Sequence, residues 1–429
     1  MIKQTIRQAF VLLRQNPLMS IISILGTALA ISMIMVMVIT WQTKYADMSP
    51  EVNRGRSLYI SGVTLTSKSN EGWTQSGSTS PIMMKENIWP LKSIEAATVV
   101  QSAWAVLAAT TDGSQHTKAD YMKTDDAFWK IYEFRFISGH PFVETDKKTP
   151  KQGKPVVIAA SVARRLFGTT NAAGLLMQVN REQAYITGVV EDVSLTCKDA
   201  YAQIWTRYDE SELNYPNDES GWNGNYNIVI LARSKKDFPV IRQDVAAAIG
   251  RLNAKLKNFT MDIGEQPDDI ETHVNHVWSN IGPDMTMIYL QYIIALVIIL
   301  LVPSLNLCGL SNSRMQQRMA EMGVRKAFGA TRSELVRQVL NENLVLSLLG
   351  GIVGLLFSYV AVYFMRNWLF ANYNNIGSSG DFSLSMSTLF SPVVFGVAML
   401  FCIIMNLLSA GIPSWNAASK PIVTSLTDK

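Results

Sequence analysis

The chain has 429 residues, 48% of them hydrophobic and only 17% charged, with a formal net charge of +4. Soluble proteins carry about a quarter charged residues, whereas a bundle built only of spans would lie well above the mean hydropathy of +0.13 found here; a few membrane spans joined to one sizeable water-exposed domain fit both figures. Extended disorder is excluded by the apolar content and low net charge, and three cysteines without a C-x-x-C motif exclude a disulfide framework and a cysteine zinc site.

At the start, Ile2, Ile6, Phe10 and Leu13 recur at helical spacing with Lys3, Arg7 and Arg14 elsewhere. This predicts an amphipathic helix over 1–16 lying on the inner leaflet; a plain basic topology signal is the alternative. Pro17 restrains Asn16 and separates this segment from the first charge-free stretch. That stretch runs on through Ile31–Ile39, too far for a signal-peptide core, so a first span at 17–42 that stays uncleaved is expected.

The segment 43–284 is too long for a loop and reads as a domain. Strand-like runs lie at 57–65, 103–109, 155–160, 184–190 and 227–232. Helix-like runs lie around Ile94 and at 161–167 and 238–256. The mixture predicts an α+β class. Two polar, Gly-rich stretches, 68–80 and 209–225, read as loops, the second as a junction between subdomains. His273 and His276, beside Glu271, would share a helix face. Two ligands are too few for a metal, so they are read as polar residues on a stalk entering the next span. Seven tryptophans of this segment, Trp73, Trp89, Trp104, Trp129, Trp205, Trp222 and Trp278, are assigned to core packing or an interfacial belt.

Three more charge-free stretches predict spans at 285–311, 337–366 and 389–413, with a loop at 312–336, a short external loop at 367–388 and a tail at 414–429. The residues before the first span, the loop 314–342 and the tail carry net charges of +3, +3 and +1, while 41–284 holds 26 basic and 29 acidic residues. Positive-inside bias places both termini and the loop in the cytoplasm and the large domain outside. Charged residues are missing from the span centres, which disfavours ion coupling. Gly350, Gly351 and Gly354 form a small-residue face in the third span, as Gly26 and Ala30 do in the first, and both suit close helix packing. Pro303 is expected to kink the second span.

The loop is the most informative stretch. Met315, Met319 and Met322 fall on one helical face, and Gly329 ends the helix. Gly323 inside it costs about 1 kcal/mol against Ala, which suggests a close neighbour or a break. Thr331 to Glu334 has the T-x-x-E form of a capping box that would start the helix of the third span.

Residues 318–332, RMAEMGVRKAFGATR, resemble without a gap the signature R-x-x-E-(I/M/F)-G-(I/V)-(R/L)-(K/R)-A-(L/M/F)-G-A-(S/T) of FtsX/MacB-type ABC transporter permeases. Gly139-His140-Pro141-Phe142, the strand at 155–160, Ser161 to Gly168 and Tyr185 to Val190 are similar to the periplasmic core domain of MacB-like members. Ile412-Pro413, Ala417-Ala418, Pro421 and Leu426 resemble the family's ending. The resemblance touches nearly the whole chain, and the loop motif is its specific part.

The resemblance implies an α-helical membrane protein with four transmembrane helices and an inserted α+β extracytoplasmic domain, placed in a bacterial inner membrane. It assigns ATPase coupling to Arg318, Glu321, Gly323, Val324, Arg325, Lys326, Phe328, Gly329 and Ala330, with Thr331 and Glu334 as the helix cap. No G-x-x-x-x-G-K-(S/T) phosphate loop occurs in this sequence. The chain is therefore expected to be no enzyme and to hold no cofactor, with ATP and Mg bound by a partner ABC ATPase. A second permease chain, identical or not, the lipid bilayer, and a periplasmic adaptor with an outer-membrane channel are the other partners implied; nucleic acid is not. The expected role is export of peptides, toxins or small molecules, or lipoprotein release. The alternative is an FtsX-like regulator that activates a cell-wall hydrolase or signals envelope stress.

Overall fold

The computed structural model describes residues 17–69, 72–143, 153–213, 219–278, 281–298, 301, 324, 327–369, 392, 395–401, 403, 404, 407 and 415. The expected amphipathic helix at 1–16, the Met face of the loop, Pro303, and most of the fourth span and tail lie outside them. Contacts divide the chain into a unit of Met1–Trp41, Thr286–Leu369 and Ser385–Lys429 and a unit of Gln42–Met285 and Phe370–Leu384.

The first element is helix α1, Pro17–Tyr45, 29 residues with no charge before Lys44. It is followed by the outer unit, which holds fourteen strands among its described residues. The first four are β1 Ser57–Ile60, β2 Val63–Ser67, β3 Thr74–Thr79 and β4 Ala96–Gln101. Next come β5 Trp104–Thr110, β6 His116–Thr124, helix α2 Phe128–Ile131 and β7 Phe136–Gly139. Strand β8 is Lys154–Ala159, α3 is Ala160–Phe167, β9 is Leu176–Val179, β10 is Glu182–Val190 and β11 is Ile204–Arg207. The last are β12 Asn223–Gly224, β13 Tyr226–Leu231, α4 Phe238–Lys255, β14 Phe259–Asp262 and α5 Ile270–Asn275.

One sheet runs β1-β13-β3-β2-β14, with β12 on β3 and β4 on β13. Helix α4 covers it. Phe238, Ile241, Val245, Ala248, Ile249 and Leu252 are its buried stripe, the spacing of an amphipathic helix, and all but Ala248 share a core with Leu58, Val99, Ile228 and Ile230. In the other sheet pairing passes from β10 through β8, β11, β6, β5 and β9 and returns to β10, so six strands close into a ring, with β7 added on β10. Closure removes most of the exposed edge that an open sheet leaves. Val162, Ala163 and Leu166 of α3 join Val106, Ile158 and Ile186 in its core. A third core, with Phe128, Phe142 and Trp205 beside Tyr59, Val229 and Leu231, fastens the two sheets together. The segment after β11 leads to β12 and β13 and so passes from one sheet to the other.

Three local expectations are corrected. The run 57–65 is two strands, because Gln266 Oε1 accepts the amides of Ser61 at 2.6 Å and Gly62 at 3.3 Å and breaks the ladder there. Within 68–80 the structure has strand β3, whose Thr66↔Thr74 to Val63↔Gly77 register on β2 outweighs its loop-like composition. No helix forms around Ile94; helical turns lie earlier, at Pro81–Met83 and Met84–Ile88. Pro81 suits a helix start, and Pro90 ends it.

The glycines of the family-like pattern have a steric reason. Gly139 and Gly188 pair across β7 and β10. A Cβ on Gly188 would lie 2.6 Å from the His140 carbonyl oxygen and 2.8 Å from Phe136, and one on Gly139 (φ +70°) would lie 2.8 Å from Ala173 Cβ.

In the other unit, α6 is Met285–Ile298 and α7 is Arg332–Leu369, 38 residues long. Among the described residues two helices are long and apolar enough to cross a membrane, Ile24–Tyr45 and Arg332–Arg366.

Candidate functional site

The site starts where the loop 312–336 feeds α7. Arg318, Glu321, Gly323, Arg325 and Lys326 lie outside the described residues. Val324 is exposed, and its carbonyl accepts the Phe328 amide at 3.2 Å, the last turn of a helix. Phe328 projects with 89% of its surface exposed. Gly329 follows with φ +95°, a left-handed conformation that only glycine takes at no steric cost.

Two residues later the next helix is capped from both sides. Glu334 N donates to Thr331 Oγ1 at 3.3 Å, while Thr331 N donates to Glu334 Oε2 at 2.9 Å. The reciprocal pair satisfies two backbone donors that a helix start otherwise leaves open. Leu335 is buried, with Ala330, Val336 and Val339 packed against it. Thr331, three residues after Phe328, is thus fixed to the first turn of α7 by hydrogen bonds, and Ala330 adds a small apolar contact.

From there α7 continues unbroken. Ser347, Gly350, Gly351, Gly354, Ser358 and Val362 are buried. A Cβ on Gly350 would lie 2.7 Å from Thr27 Cβ, and one on Gly354 would lie 2.5 Å from the Ala28 carbonyl and 3.0 Å from Ile31 Cβ. On α1, Gly26, Thr27, Ala28, Ala30 and Ile31 are buried. Small residues bring the two backbones together, the packing available to helices in lipid. Ser347 and Ser358 donate to the carbonyls of Asn343 at 2.8 Å and Leu355 at 2.7 Å, so neither leaves its hydroxyl unpaired in the helix.

In the outer unit the two histidines take separate partners. His273 Nε2 lies 3.0 Å from Asp199 Oδ2, and His276 Nδ1 lies 2.6 Å from Asp268 Oδ2. Among the described residues no group of three or more His, Cys, Asp or Glu side chains could hold a metal. Of the seven tryptophans, Trp205 and Trp222 are buried, Trp129 packs against the third core, and Trp73, Trp89, Trp104 and Trp278 are exposed. Sequence reasoning missed a buried cluster of Glu51, Arg54 and Asp199. In sequence these are ordinary charged residues, 148 positions apart at their extremes, and only tertiary structure buries them.

The FtsX-like permease C-terminal model matches residues 293–422, and the MacB-like periplasmic core domain model matches residues 20–248. The ABC transporter permease YknZ of Bacillus subtilis is 22% identical over 362 residues, which are 83% of this chain and 85% of that one. The macrolide export ATP-binding/permease protein MacB of Nitrobacter winogradskyi is 21% identical over 431 residues, 98% of this chain; the chain spans 60% of that relative's length. The periplasmic region of MacB from Actinobacillus actinomycetemcomitans matches 53% of this chain and 96% of its own at 12% identity, with a TM-score of 0.32. Since the core-domain match alone spans more than half of the residues, and the permease match takes in the loop and α7, the chain belongs to the FtsX/MacB-type ABC transporter permeases.

Proposed function

We propose that this chain is the transmembrane subunit of an ABC transporter whose partner ATPase docks on the loop before α7 and drives movement of the outer domain. One observation carries the reading: an almost fully exposed Phe328 stands one capped turn ahead of a 38-residue helix. A solvent-facing Phe forgoes about 1.5–3 kcal/mol of burial, which a groove on a partner would recover. Arg318, Arg325 and Lys326 supply the positive rim that meets acidic groups around such a groove. Closure of a nucleotide-bound ATPase pair then displaces Phe328, and the Thr331–Glu334 cap passes the displacement to α7. The full assembly has two permease chains in the inner membrane, four spans each, with both termini cytoplasmic and the large domain periplasmic. Its work is export of peptides, toxins or small molecules, or release of lipoproteins, by movement of the outer domains.

The test is co-expression with the ABC ATPases of the same genome. The wild-type chain is expected to co-purify with one of them and to yield vanadate-sensitive ATP hydrolysis, and the Arg325→Glu, Phe328→Asp double variant to lose both. A wild-type chain that binds no ATPase sinks the transporter reading, and a double variant that still couples removes Phe328 from it.

A further inference from the structure

The outer unit contains a cluster of buried charges whose bonds converge on the two chain segments that lead to the membrane helices. Arg54 and Glu51 have side chains only 2% and 3% exposed, with Nε to Oε2 at 2.5 Å. Arg54 Nη1 donates to the carbonyls of Thr43 and Ala46, both at 3.0 Å, and Nη2 to that of Thr196 at 3.1 Å. Thr43 is in the last turn of α1, where carbonyls have no partner in the helix itself and a cation is favoured. Glu51 Oε1 accepts the amides of Asp199 at 3.0 Å and Ala200 at 2.9 Å. Asp199 in turn holds His273, on α5, whose Nδ1 lies 2.9 Å from Ser61 Oγ and whose ring stacks on Tyr59 at 4.1 Å. Two residues on, Asn275 Nδ2 donates to Tyr45 Oη, the final residue of α1, at 3.1 Å. The start of the outer unit and its last helix, 230 residues apart in sequence, are thereby bonded to each other and to the same corner of the domain.

Stability is a poor explanation for such a cluster. A buried ion pair is commonly no better than apolar side chains of the same volume, because desolvation offsets the attraction. Burial also works against the Asp199 carboxyl, and His273, Lys198 and Arg54 together hold it below its ordinary value. What directional bonds supply and apolar packing does not is a fixed position for each backbone segment. Here the segments fixed are 43–46, 196–200 and 270–275.

We propose that Glu51, Arg54, Asp199 and His273 form a mechanical clamp that makes the outer domain follow the two membrane-leading segments without slack. These are positioning residues, and the proposal rests on the reading above that ATP hydrolysis moves the outer domain. The clamp grips 43–46 through the guanidinium and 270–275 through the imidazole, and Glu51 and Asp199 join the two grips. A displacement of either segment is then carried into both sheets.

The experiment uses the full chain assembled with its ATPase in lipid, with Cys308 and Cys402 replaced by Ser and a nitroxide on Lys235→Cys in each copy. In the parent complex the distance between nitroxides is expected to shift on adding ATP and vanadate. The Glu51→Leu, Arg54→Met variant removes both charges together and leaves no unpaired buried ion. It is expected to keep hydrolysis and to lose the shift, with a lower melting temperature because the amides of Asp199 and Ala200 lose their acceptor. Asp199→Asn keeps a hydrogen bond to His273 and is expected to retain it. If the double variant fails to reach the membrane, Arg54→Lys decides: it keeps the charge beside Glu51 but loses the forked grip on Thr43 and Ala46, and should lose most of the shift. A full shift in the double variant, or in Arg54→Lys where that variant decides, overturns the clamp. A parent complex that hydrolyses ATP with no shift overturns the movement reading itself, and the clamp with it.

Discussion

Asp125 shows how a single buried carboxyl sets a pH response. It accepts bonds from Thr98 Oγ1 at 2.8 Å, Ala127 N at 2.9 Å and Phe128 N at 3.2 Å. Burial nevertheless dominates and pushes it from 3.8 to about 6. Between those values the folded chain keeps a proton that the unfolded chain has released. Its stabilising contribution is therefore complete below about pH 4 and is lost as pH rises through about 6. Two pKa units correspond to about 3 kcal/mol. The stability difference between wild type and Asp125→Asn, from urea unfolding followed by tryptophan fluorescence, should fall by about that amount from pH 4 to pH 7. A flat difference would mean that the bonds to Thr98 and the backbone offset burial. At Gly188 the constraint is steric. Gly188→Val would press on the His140 carbonyl, a rigid neighbour 2.6 Å from the first added carbon. Overpacking of this kind costs about 1–3 kcal/mol, and the same unfolding assay reads it as a lower midpoint with an unchanged slope.

At the scale of the element, the cap at Thr331 makes the sharpest claim. Replacing a capping Thr by Ala costs about 0.5–2 kcal/mol, and the loss should stay local, because the bonds join only residues 331 and 334. Hydrogen exchange in Thr331→Ala should quicken at amides 331–335 and leave those beside Gly350 and Gly354 unchanged. The cap was legible in the sequence because it depends on two residues three apart. The same is true of α4, where Phe238, Ile241, Val245 and Ile249 announce their own face, and of β8 and β10, whose apolar runs reflect burial in the ring. Strands β3 (TQSGST) and β6 (HTKADYMKT) were not legible. Their ladders are completed by distant backbone; β3 is polar throughout, and β6 opens on three polar residues before a buried run, Ala119 to Met122, that does not alternate. The Glu51–Arg54–Asp199 cluster was hidden for a related reason: nothing local marks a charge that the fold will bury. Of the loop residues, Phe328 could be read as an anchor only from the family pattern, and its exposure is what the structure adds.

For the whole molecule, the distribution of charge is the argument. The stretch 41–284 holds 29 acidic against 26 basic residues, while the loop 314–342 has six basic against three acidic. Short flanking segments rich in Lys and Arg resist translocation, and long domains translocate largely regardless of their charge. The loop should therefore stay inside and the strand-rich unit should pass outside. Lys235 and Phe328 are both exposed, so a cysteine at either position reports its compartment and not its burial. A membrane-impermeant maleimide that can cross the outer envelope but not the inner membrane should label Lys235→Cys in intact cells. It should label Phe328→Cys only after the inner membrane is opened. Labelling of Phe328→Cys in intact cells would put the loop on the same side as the outer domain. No cytoplasmic ATPase could then reach it, and helix α7 would have nothing to transmit.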